Sequence, residues 1–161
     1  MRKRENNNVI IEDEDIIDII FPNFQGAPDK FNPNGQMGNA WLVFEKGNQK
    51  VEELIEKGFN VREFVTSNDY DPDSESTELR LQVFVRFDNY PPKITLINQN
   101  DEKTMLDSNT MIMLDSALSN GQVERASFII SPYTWEFGGR NGVKAYVRAA
   151  SFRIFEMPFT I

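Results

Sequence analysis

The chain has 161 residues, 40% of them hydrophobic and 26% charged, with a formal net charge of −8 and neither cysteine nor histidine. That length fits one domain around a single core, and the composition is that of a folded globular protein. The missing Cys and His exclude a disulfide framework, thiolate and imidazole metal sites, the Ser-His-Asp triad and Cys-His nucleophiles.

Catalysis would have to rest on carboxylates, Lys, Tyr or an oxygen-ligated metal, and no carboxylate pair stands out from the scattered acids. The expectation is a binding module rather than an enzyme, with no cofactor and no bound metal. No apolar run approaches the roughly 18 residues of a membrane span. Met1-Arg2-Lys3-Arg4 is basic, but Asn and acids follow where a signal peptide needs an apolar stretch. A cytoplasmic protein, with no membrane partner, is expected.

In chain order, residues 1–15 are polar and charged, with Asn6-Asn7-Asn8 and Glu12-Asp13-Glu14-Asp15, and are expected to form a charged arm with the composition of a disordered segment. Residues 16–161 form the expected domain. Ile16–Phe21 reads as a strand, and the Pro- and Gly-rich 22–38 as a loop. Asn39–Glu45 is an apolar strand. Asn48–Lys57 is a helix capped by Asn48 and stopped by Gly58, with Val51, Leu54 and Ile55 at helical spacing. Phe59–Val65 returns to strand, and Ser67–Glu78 is an acidic loop around Pro72.

Leu79–Phe87 alternates most cleanly, with Leu79, Leu81, Val83, Val85 and Phe87 on one face and Arg80, Gln82, Phe84 and Arg86 on the other. After a turn at 88–92, Lys93–Ile97 is a strand and Thr104–Leu118 a short helix, capped by Asp107 or Ser108. Phe128–Phe137 and Val143–Phe155 are strands joined by the glycine-rich 138–142, a hairpin signal. The alternation changes phase near Ala149-Ala150, which predicts a bulge. About seven strands and two short helices, without regular alternation, indicate a mainly β fold, an antiparallel OB-fold-like barrel with one or two short inserted helices.

The net acidity does not decide against a polyanionic partner, because the charge is segregated. Leu79–Asn98 holds Arg80, Arg86 and Lys93 against Asp88, whereas Phe59–Glu78 holds one Arg against six acids. On the polar face of Leu79–Phe87, Arg80 and Arg86 flank Phe84. That pattern suits single-stranded nucleic acid, a ring for a base and guanidiniums for phosphates, unless Phe84 fills a second small core. The terminal hairpin offers a second group: Tyr133, Trp135 and Phe137 share a face of one arm, Lys144, Tyr146 and Arg148 a face of the other, and Arg140 lies in the turn. Of Trp135 and Phe137, at least one is expected to be core. Trp41 can also stack on bases, but a strand as apolar as 39–45 more often buries its tryptophan. The acidic run from Asp69 superficially resembles a calcium loop, yet its sixth and twelfth positions hold Ser74 and Arg80 where Gly and Glu are needed.

Several segments together resemble a family of phage-encoded single-stranded DNA-binding proteins. They are Phe21-Pro22-x-Phe24-x-Gly26, Lys30-Phe31-Asn32-Pro33-x-Gly35, Gly58-Phe59-Asn60-Val61, Phe87-Asp88-Asn89-Tyr90-Pro91-Pro92-Lys93-Ile94, Leu114-Asp115, Pro132-Tyr133-Thr134-Trp135-Glu136 and Gly142-Val143-Lys144-Ala145-Tyr146. The resemblance implies an OB-fold protein that coats single strands during DNA replication or recombination, with phage or host replication proteins as partners and self-association compatible with it. The expected binding residues are Arg80, Phe84, Arg86, Lys93, Tyr133, Trp135, Arg140, Lys144, Tyr146 and Arg148. The chain departs from many proteins of this role in ending Glu156-Met157-Pro158-Phe159-Thr160-Ile161 rather than in an acidic tail. A non-enzymatic virion or assembly protein, using the β-domain as an interaction module, is the alternative.

Overall fold

The computed structural model describes residues 7–28, 37–68, 71–88 and 91–155. The Lys30–Gly35 segment and the residues from Glu156 onward, both noted above, lie outside them. Among the described residues nine strands form one strongly curled sheet, an OB-like half-barrel: β1 (Val9–Ile11), β2 (Asp18–Asn23), β3 (Gly38–Glu45), β4 (Arg62–Asn68), β5 (Asp71–Val85), β6 (Lys93–Ile97), β7 (Lys103–Leu106), β8 (Val123–Phe137) and β9 (Arg140–Ile154). Six of them follow the order β1-β8-β9-β5-β3-β2, while β4 pairs with β5, β6 with β9, and β7 with β6. Two helices, α1 (Gln49–Glu56) and α2 (Met111–Ser119), are inserted between them.

The long strands bend the sheet by sharing their edges. Along one edge β5 pairs with β3, from Glu78 to Val85. Along the other it pairs first with β4 and then, at Val83 and Phe84, in parallel with β9. Strand β9 does the same: it pairs with β8 along its length, and its other edge passes from β5 to a parallel pairing with β6 at Ala149–Arg153.

The change of partner coincides with a bulge. Ile129 faces Ala149 while Ile130 faces Val147, which leaves Arg148 as the extra residue. An extra residue bends and twists its strand. It also shifts the buried set from Ala145 and Val147 to Ala150 and Phe152, the phase change seen in the sequence.

The inward face holds Leu42, Phe44, Leu81, Val83, Ile94, Phe128, Ile130 and Phe152, closed by Leu54 of α1 and Leu114 of α2. Helix α1 begins where the Asn48 side chain accepts from Lys50 N–H at 2.8 Å. Helix α2 is docked by Asp115, only 7% exposed, whose carboxylate accepts the backbone N–H groups of Phe24 at 2.7 Å and Gln25 at 2.9 Å.

Three expectations need correction. Residues 9–15 are part of the fold: Val9 and Ile11 are 0% exposed, β1 pairs with β8, and Asp13 Oδ1 accepts Ala126 N–H at 2.9 Å. The acidic segment is not a loop, since β4 and β5 continue through it as a paired ribbon; backbone ladders require no apolar side chains. The helix expected over 104–118 starts only at Met111. Residues 103–106 instead pair with β6, burying Leu106 and exposing Met105 as a strand's alternation requires. Asp107 does act at the start of the helix, accepting from the N–H groups of Asn109 and Thr110.

Candidate nucleic-acid interface

The face of the sheet opposite the core carries most of the expected site. The β8–β9 hairpin turns at Gly138 and Gly139, with φ of 59° and 78°. Two successive positive φ angles are what a two-residue hairpin turn of the primed type requires, and glycine meets them without strain. Beyond Pro132 and Ala145 the two arms pair only with each other among the described strands, so they continue as a two-stranded ribbon.

Register sets the outer side of this ribbon: Tyr133 lies opposite Lys144, Trp135 opposite Gly142, and Phe137 opposite Arg140. Aromatics on one arm thus face cations or a glycine on the other. Neither Trp135 nor Phe137 is core. Trp135 is half-buried across the ribbon and Phe137 is 83% exposed.

A β-carbon at Gly142 would lie 2.8 Å from the indole of Trp135, so glycine is what lets this ring lie flat across the ribbon. Gly142→Ala is expected to swing the indole away and change the near-UV circular dichroism. Because Gly142 and Trp135 are not among the core residues, stability should change by only about 0.5 kcal/mol. A melting curve and a near-UV spectrum of the same sample check both parts.

Where the ribbon joins the sheet, the rings form a cross-strand row. Tyr133 and Tyr146 meet edge to face at 5.4 Å between centroids, and Tyr146 meets Phe84, its register partner on β5, at 6.3 Å. Lys144 Nζ sits 5.2 Å from the centroid of Phe84. Phe84 is therefore half-buried among site residues rather than in a second core. The exposed Arg148 at the bulge reaches this face, its Nε donating to Ser131 Oγ at 2.9 Å.

The cations are not equivalent. Arg86 is held in a two-point ion pair by Asp88, its Nη2 donating at 2.6 Å and its Nε at 3.0 Å. The hydrogen bond from Arg86 also holds the Asp88 carboxyl below its ordinary value. Arg80 pairs with Glu78 at 2.9 Å and lies 4.2 Å over the ring of Phe64. Lys93, Arg140, Lys144 and Arg148 form no ion pair among the described residues, which leaves them available to an anion. Lys93 opens β6 opposite Ala149, apart from the aromatic row, and Arg140 stands at the ribbon tip.

Trp41 corrects another expectation. The core side of β3 is taken by Ala40, Leu42 and Phe44, and Trp41 lies half-buried on the outer face. It meets Phe64 of β4 edge to face at 6.3 Å, with the Arg62 guanidinium 5.6 Å from its ring. Arg62 and Phe64 were not singled out in the sequence. Their alternate spacing repeats the Lys-x-Tyr-x-Arg pattern of the hairpin in its shortest form.

With this geometry in place, the comparisons decide the family. The model of the family described as "Putative phage ssDNA-binding domain" matches residues 1–157. The chain belongs to that family. Among solved structures, the single-stranded DNA-binding protein of bacteriophage Enc34 with a C-terminal truncation is similar, at 14% identity and a TM-score of 0.51. The alignment covers 95% of this chain and 89% of that one. The structure of the Enc34 protein in complex with ssDNA aligns at 16% identity and a TM-score of 0.52, with the same coverage. At such identities the likeness is one of fold. No curated protein sequence matches the chain.

Proposed function

We propose that the protein binds single-stranded DNA with little sequence preference, on the outer face of the half-barrel where the hairpin meets β5. Family membership supports the ligand class. The observation that carries the location is the unbroken row Phe84–Tyr146–Tyr133 with Lys144 beside it, because stacking rings flanked by unpaired cations suit bases and phosphates of any sequence. Coating of single strands during phage DNA replication or recombination, in the host cytoplasm, is the role this reading favours. Arg80 and Arg86, already neutralised by Glu78 and Asp88, serve mainly to hold the rings in place.

Affinity is expected to fall steeply as salt rises, since counterion release accompanies each phosphate contact. Tyr146→Ala should weaken binding by about 1–3 kcal/mol through loss of a stacking surface. Lys144→Ala should weaken it too and flatten the salt slope by about 0.7, one phosphate contact on a single strand. Titration of a fluorescent oligonucleotide at several salt concentrations, with melting temperatures of the same variants, checks these values. Unchanged affinity in both folded variants would move the site off the hairpin. Absence of any binding by the wild type at low salt would favour the assembly module instead.

A further inference from the structure

We propose that Trp41, with Phe64 and Arg62, forms a second stacking platform that extends the same strand's path from the hairpin across β5 to β3 and β4. This rests on the reading above and lengthens its site. Trp41 faces Gln82 in register, two residues from Phe84 on the same side of β5. With strands about 4.8 Å apart and a rise of about 3.3 Å per residue, the Cα atoms of Trp41 and Phe84 lie roughly 8 Å apart. That is on the order of one step along an extended single strand. The outer row is then continuous: Tyr133 on β8, Tyr146 on β9, Phe84 on β5 and Trp41 on β3.

The second platform differs from the first in its charge. Arg62 forms no ion pair among the described residues, but it lies against the indole, and Arg80 beside it is already paired with Glu78. Beyond Trp41 the outer face offers Arg80, already offset by Glu78, and then Glu45, which forms no ion pair among the described residues, so no free cation there carries a polyanion further. Trp41 thus sits where the strand's path ends, contributing stacking more than phosphate contact.

The chain has two tryptophans, Trp41 and Trp135. Protein labelled with 5-fluorotryptophan therefore gives two ¹⁹F resonances, assigned with a Trp135→Phe variant. Titration of the labelled wild-type chain with oligothymidylate of about 16 nucleotides, the upper end of the span covered by one OB fold, is expected to move both lines. Trp41→Ala is expected to lower affinity for that oligonucleotide about tenfold while leaving the salt slope unchanged, unlike Lys144→Ala. A Trp41 line that stays in place at saturation, or unchanged affinity in a folded Trp41→Ala protein, overturns the second platform and leaves the hairpin site standing. Failure of the wild type to bind the oligonucleotide would instead remove both.

Discussion

Deletion of residues 1–14 is expected to lower the melting temperature by roughly 10–20 °C. Val9 and Ile11 are wholly buried against β8, and burial of each side chain contributes about 1.5–3 kcal/mol. Loss of both therefore costs about 3–6 kcal/mol, before the ladder bonds and the Asp13 contact to Ala126 N–H are counted. For a domain of this size each kcal/mol shifts the melting temperature by about 2–4 °C. A total stability of about 5–15 kcal/mol absorbs such a loss badly. A shorter deletion that stops before Val9 should melt close to the full chain. Thermal melts of the two truncations check the expectation, and equal melting temperatures would show that β1 contributes nothing.

Asp115→Ala is expected to cost about 3 kcal/mol, because it strips the acceptor from two backbone N–H groups and one of them is buried. Asp115→Asn should cost less, about 1–2 kcal/mol: its oxygen can still serve Phe24, but its amide would face the N–H of Gln25. The pH dependence separates charge from hydrogen bonding. Burial raises the Asp115 carboxyl above its ordinary 3.8, and the bonds from Gln25 and Phe24 only partly oppose that. A folded-state value above the unfolded one means that the folded chain binds the extra proton. This group's contribution to stability is thus fully present below about 3.8 and is lost as pH rises through the raised value. The asparagine variant should lack that component. Denaturant melts of wild type and variant across the acid range would reveal the difference, and parallel curves would count against it.

The parts of the fold legible in the sequence are those whose signal lies within one element. Leu79–Phe87 announces its two faces by itself, Asn48 and Gly58 bracket α1, and the phase change at Ala149-Ala150 reports the bulge directly. Strand β1 was not legible because it has only Val9, Ile10 and Ile11 among polar residues, and its partner β8 comes from the far end of the chain. The β7–α2 boundary was missed because the apolar residues of 105–106 and 111–118 run together into one apparent helical period. The site divides in the same way. Lys144, Tyr146 and Tyr133 could be placed together because a hairpin is a local object. Trp41 could not be placed, since the residues that make its surroundings, Arg62 and Phe64, reach it only after β4 and β3 have both joined β5.

The sharing of edges by β9 also bears on how the molecule comes to exist. Strands β5 and β6 both wait for this late segment, and β1 waits for β8, so half of the sheet's eight pairings, β1–β8, β3–β5, β5–β9 and β6–β9, join strands that are not consecutive in the chain. All-β chains rich in such long-distance pairings fold on the order of milliseconds to seconds, because the entropy of closing large loops precedes the contacts that compensate it. During synthesis, β2 to β5 can assemble their own ladders while the edge of β5 beyond Leu81 stays open for want of β9. Phe84 sits on that unfinished edge. The face that would hold a nucleic acid is therefore among the last surfaces to form, and it arrives together with the closure of the half-barrel.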